Sequence, residues 1–79
     1  MPKSTYTKKA IQLRLLLINA RKSANLTQAD LSKRLKKPQS YVSKYERGER
    51  RLDVIEFLEV SDALHIDPTA LIEELLNVE

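Results

Sequence analysis

Apolar residues recur along this chain at spacings of three and four, and the stripes they draw predict five helices. In the first, from about Thr7 to Ala24, Ala10, Leu13, Leu17, Ala20 and Ala24 fall on one stripe at roughly 100° per residue. A second stripe, Ile11, Leu15 and Ile18, points nearly the opposite way and predicts cover from the last helix or from another subunit. Thr27 and Asp30 then have the spacing of a capping box, with Leu26 and Leu31 as its hydrophobic staple, so a second helix of about ten residues opens there. Leu31 and Leu35 are its buried stripe, and Lys33, Arg34 and Lys36 stay outside.

Pro38 is tolerated in a first helical turn, where its missing N–H is not needed, so a third helix opens there after a tight turn. It closes at Gly48, the single glycine, where a left-handed residue is most often required. Val42 and Tyr45 face inward; Gln39, Ser40, Ser43, Lys44 and Arg47 face out. Asp53 with Glu56 caps a fourth helix, stapled by Leu52 and Phe57, whose inward stripe reads Val54, Phe57, Leu58, Ser61, Leu64. Asp67, Pro68 and the staple Ile66–Leu71 open a fifth, whose Leu71, Ile72, Leu75 and Leu76 give more apolar surface than a short last helix needs to dock.

Charge changes this picture more than composition does. All fourteen Lys and Arg lie in residues 1–51 against three acids, a net of +11, whereas residues 52–79 hold eight acids and no base, a net of −8. Such segregation marks a basic working face and an acidic back. The 79 residues are read as one domain, 7–79, preceded by a loose arm, 1–6. Without cysteine there is no disulfide or thiolate zinc site, and His65, with no second ligand nearby, reads as a helix-end residue; no metal, cofactor or small-molecule ligand is expected. The run LRLLLI is too short and too charged to span a membrane, which predicts a cytoplasmic protein with no membrane partner. One histidine and no Gly-rich phosphate loop leave nothing to assemble a nucleophile and its base, so an enzyme is not expected.

The outward Gln, Ser and Lys of the third helix have the donors and acceptors that read base edges. The motif T-Q-x-x-L over 27–31, followed by Q-S-x-V-S-x-x-E-x-G-x-R over 39–50, resembles the Cro and phage-repressor (xenobiotic response element) helix-turn-helix family, without gaps from about Leu13 to Leu71. The resemblance implies an all-α, five-helix bundle of the phage-repressor DNA-binding type, with helices 2 and 3 as the helix-turn-helix. It implies a recognition helix, 39–47, in the major groove of double-stranded DNA, with Gln39, Ser40 and Lys44 on bases. It also implies that Gln28 touches phosphate and buttresses Gln39, and that Glu46 pairs with Arg21 as an architectural ion pair.

The chain departs from the family at the turn, where Lys36 and Lys37 replace the usual glycine and apolar residue and Pro38 replaces a Ser or Thr cap. Lys37, Tyr41, Ser43, Arg47 and Arg50 join Gln28 as candidates for the sugar-phosphate backbone, which fixes register without choosing sequence. Ile11, Leu15, Ile18, Ile72, Leu75 and Leu76, with Ile55 and Val60 beside them, are candidates for a homodimer interface. A two-fold dimer reads a roughly palindromic operator with half-sites about 34 Å apart or a multiple of it. Two functions follow: a sequence-specific transcriptional regulator, or a protein-interaction module, such as an antitoxin or bridging factor, whose C-terminal helices hold a partner protein.

Overall fold

The structure, a computed structural model, describes residues 7–78, so the proposed arm 1–6 lies outside the described residues. Five helices run in order: α1 (Lys8–Ser23), α2 (Gln28–Leu35), α3 (Gln39–Glu46), α4 (Val54–Ala63) and α5 (Pro68–Leu76). Their starts are set by side chains. Thr7 accepts from the Ala10 N–H; Thr27 with Asp30 and Asp53 with Glu56 each close a full capping box; and Asp67 accepts from the Thr69 N–H. Only α3 opens without a side-chain cap: Pro38 is its N-cap residue, extended at ψ 152°, and not its first helical residue as the sequence suggested.

The helix ends share one device. After α1, α2, α3 and α4 the chain enters the left-handed region, at Asn25, Lys36, Gly48 and His65, with φ of 60°, 58°, 79° and 57°. In each case that residue's N–H and the next one's turn back to carbonyls of the last helical turn, as in the pairs Lys36 N–Lys33 O and Lys37 N–Ser32 O. Gly48 alone is glycine, at φ 79°; a Cβ there would stand 2.9 Å from Cζ of Arg14, whose guanidinium lies across it and, being the end of a flexible side chain, could move aside, so the left-handed backbone is the firmer reason for glycine. Lys36, at φ 58°, carries a Cβ into the same region and bears the left-handed penalty, about 1–2 kcal/mol. Lys36→Gly should therefore raise stability by roughly 1 kcal/mol, the greater freedom of glycine in the unfolded chain offsetting part of the gain. Thermal melting checks this; an unchanged or lower midpoint would mean that the lysine side chain holds the turn in a way its backbone does not reveal.

The core gathers Leu17, Leu31, Tyr41, Val42, Tyr45, Phe57, Val60, Leu64 and Leu71, with α1 packed on α3 and α5, α2 on α3 and α4, and α4 on α5. Arg34 adds a tie between α2 and α4 by donating to the Ala63 carbonyl at 3.0 Å. In α4 the inward seam is Phe57, Val60, Ser61 and Leu64, whereas Val54 and Leu58 are exposed, which corrects their placement on the inward stripe. Ser61 keeps its predicted place on that seam. Its hydroxyl donates to the Phe57 carbonyl at 2.9 Å, so a small polar side chain sits fully buried without stranding a donor, and the seam centres there. Val60, expected as a possible interface residue, is consequently core.

Candidate nucleic-acid interface

Along α3, Gln39, Ser40, Lys44 and the C-cap residue Arg47 are exposed and Ser43 is half-buried. These five positions span an arc of roughly 140° at about 100° per residue. The opposite side is anchored: Val42 and Tyr45 are buried in the core beside Leu31. The ridge thus stands proud of a fixed base. Its helix is one residue shorter than the 39–47 expected, because Arg47 already begins the left-handed exit through Gly48.

What fixes α3 in azimuth is a buried polar joint. Arg21, near the end of α1, donates from Nε to Glu46 Oε2 at 2.8 Å and from Nη2 to Glu46 Oε1 at 3.1 Å, while its Nη1 donates to the Leu26 carbonyl at 2.8 Å. Gln28, the first residue of α2, donates from Nε2 to Glu46 Oε1 at 2.8 Å. The Arg21 and Glu46 side chains are only 11% and 5% exposed, so the bidentate fork works in a largely dry site. Three helices therefore meet on one carboxylate. Gln28 was expected to lean on Gln39; the structure gives its amide to Glu46 instead, which places it in the scaffold beneath the recognition helix.

Tyr41 also departs from expectation. The sequence made it a candidate for the sugar-phosphate backbone, but it is buried, and neither its hydroxyl nor that of Tyr45 has surface or a hydrogen-bond partner among the described residues. Burial pushes both hydroxyls above the ordinary tyrosine range, so both stay protonated at neutral pH. The ring packs edge-on against Tyr45, centroids 5.9 Å apart, and carries two cations: Lys37 Nζ at 5.6 Å and the Arg50 guanidinium at 4.7 Å from its centroid.

Two acids that the sequence offered only as a loop residue and a cap complete the surface. Arg50 donates to both oxygens of Glu56, at 3.1 and 2.6 Å, while Glu56 Oε1 also accepts from the Asp53 N–H at 3.0 Å in the α4 capping box. Arg47 donates to both oxygens of Glu49, at 2.7 and 3.2 Å. Hydrogen bonds from these arginines hold the Glu56 and Glu49 carboxyls below the usual carboxylate range. Arg50 is thus a pin between α3 and α4 as well as a cation. The signal for the Arg47–Glu49 pair was present as two opposite charges either side of Gly48, but periodicity cannot say which way a loop side chain turns.

Away from the α3 ridge in sequence, Ile11 and Leu15 of α1, Val54, Ile55 and Leu58 of α4, and Ile72 and Leu76 of α5 are exposed, while Ile18 and Leu75 are half-buried. Ile72 and Leu75 line an apolar groove with Leu13, Leu52, Val54 and Phe57. No described helix is long and apolar enough to cross a membrane, and no group of three or more His, Cys, Asp or Glu among the described residues could hold a metal ion.

The helix-turn-helix family model matches residues 17–71. An XRE-family like protein from Pseudomonas syringae pv. tomato str. DC3000 is similar in structure at a TM-score of 0.83 and 47% identity, over 86% of this chain and 83% of that one. The restriction-modification controller protein C.AhdI from Aeromonas hydrophila follows at 0.71 and 30% identity, over 77% and 92%. The controller protein C.Esp1396I, solved as a tetramer in complex with its natural 35 base-pair operator, shares the fold at 0.78 and 20% identity, over 89% and 92%. No curated protein matches the chain. A family match from α1 into α5, with solved relatives at 47% and 30% identity, settles the class: the chain belongs to the helix-turn-helix family, as a DNA-binding regulator of the Cro and XRE type and not an enzyme.

Proposed function

We propose that the chain is a sequence-specific transcriptional regulator that binds a roughly palindromic operator as a homodimer. In this reading α3 lies in the major groove with Gln39, Ser40 and Lys44 on base edges, while Lys37, Ser43 and Arg47 meet phosphates. Arg50 adds its charge from the loop, through a guanidinium already stacked on Tyr41. The observation that carries the proposal is the exposure of Gln39, Ser40 and Lys44 together on a helix whose other face is locked into the core. Backbone contacts supply a salt-dependent hold that is blind to sequence; the ridge supplies choice.

The dimer is supported by the exposed apolar residues of α1, α4 and α5, the last two in the acidic stretch 52–79, which has no attraction to DNA. That same surface favours the second reading, an interaction module, because a partner protein could cover it as well as a second copy could. Selecting bound sites from random duplex DNA at a fixed salt concentration tests the proposal, since it returns sequence and half-site spacing at once. Two inverted half-sites about one helical turn apart, or a multiple of it, are expected. Recovery of no shared sequence, together with a monomeric mass in solution, would favour the interaction module.

A further inference from the structure

Arg47 and Arg50 bracket Gly48 at the exit of the recognition helix, and each is closed by a carboxylate of its own chain. The Arg47–Glu49 pair is open to solvent, each side chain 55% exposed, whereas in the second pair Arg50 is 39% exposed and Glu56 only 18%, so there the guanidinium is the accessible partner. A carboxylate held in this two-pronged way presents the guanidinium with the same geometry as two oxygens of a phosphodiester. From this arrangement we propose that Glu49 and Glu56 are specificity-determining residues: they stand in for DNA phosphates in the unbound protein, so that Arg47 and Arg50 add to binding only where a backbone phosphate is held in place to displace them. The inference rests on the DNA-binding reading above.

An exposed arginine–carboxylate pair such as Arg47–Glu49 is weak enough to exchange, and the part-buried Arg50–Glu56 pair exchanges less readily, each carboxylate having the advantage of being tethered at high local concentration. On random duplex the protein changes register continually, so no phosphate stays at one place and the internal pairs persist. On an operator, base contacts from Gln39, Ser40 and Lys44 fix the register, and a phosphate can remain beside each arginine long enough to replace its acid. Arg50 is prepared for that exchange, because the Tyr41 ring beneath it keeps the guanidinium in place whichever anion it holds. The two acids thereby withhold two cations from nonspecific complexes and release them to the specific one.

The double variant Glu49→Gln/Glu56→Gln separates charge from shape, since glutamine at position 56 can still accept from the Asp53 N–H and preserve the cap. Glu73→Gln/Glu74→Gln, with the same change of charge on α5, is the control. Affinity for a selected operator duplex and for a random duplex is measured over a range of salt. For Glu49→Gln/Glu56→Gln the expected result is a several-fold gain on random duplex, with a log–log salt slope steeper by about 1.8 for two added phosphate contacts. The operator slope should stay unchanged and the operator-to-random ratio should fall. An unmoved slope on random duplex, or an equal steepening by the α5 variant, overturns the inference while leaving DNA binding intact. Absence of salt-dependent binding of the unsubstituted protein to either duplex removes the DNA-binding reading and this inference with it.

Discussion

Replacing Glu46 by alanine should cost the fold about 3–5 kcal/mol, because it strands a guanidinium in a site too dry to solvate it. Arg21 would keep one partner, the Leu26 carbonyl, and lose both bonds of its fork; Gln28 would lose its acceptor at the same time. A domain of this length has a total stability of roughly 4–12 kcal/mol at the usual 0.05–0.15 kcal/mol per residue. The single substitution therefore removes a large share of it, and the melting midpoint should fall by about 12–40 °C at 4–8 °C per kcal/mol. The cause can be isolated with Arg21→Met/Glu46→Leu, which removes the stranded charge as well as the pair. That double variant should recover most of the loss, since a buried pair replaced by apolar groups of similar volume is often neutral or better. Urea titration of the three proteins decides the matter: a Glu46→Ala protein within 1 kcal/mol of the parent would mean the joint is far wetter than its 5% exposure implies.

This joint also shows how far the sequence reaches and where it stops. The Arg21–Glu46 pairing followed from the family pattern, and the capping boxes at Thr27 and Asp53 followed from spacing alone, because a cap is a local bond between residues three apart. The left-handed exits at Asn25, Lys36 and His65 were not legible in the same way. Glycine announces a positive φ most plainly and asparagine more weakly, whereas Lys36 and His65 give no comparable signal; they accept it because the turn's returning hydrogen bonds satisfy the helix's last carbonyls. Within the candidate site, the outward position of Gln39, Ser40 and Lys44 could be read from the period of the helix. The same period places Tyr41 about 40° from Tyr45, on the buried side; what it does not reveal is that Lys37 and Arg50 fold over its ring from opposite ends of α3. The pairing of Glu56 with Arg50 was hidden for a related reason. One carboxylate serves a cap and an arginine together, and spacing reveals only the first.

The recognition ridge makes the other large prediction. Gln39→Ala should weaken binding to a selected operator by about 1–3 kcal/mol, roughly 5- to 150-fold, if its amide makes the paired contact to a base edge for which a glutamine is suited. Binding to random duplex should hardly change, because no fixed base lies opposite the amide there. Misfolding is not an available explanation. Gln39 is exposed and opens α3 on the solvent side, where substitutions usually move stability by no more than about 0.5 kcal/mol. Lys37→Ala provides the contrast: a lysine beside the turn, exposed above the Tyr41 ring, should lose affinity for operator and random duplex alike and reduce the salt slope by about 0.9. The two variants must therefore separate on a plot of operator against random affinity, one moving along a single axis and the other along the diagonal. Should Gln39→Ala follow the diagonal too, α3 would be holding the DNA without reading it, and the choice of site would have to come from the deformability of the duplex or from elsewhere on the protein.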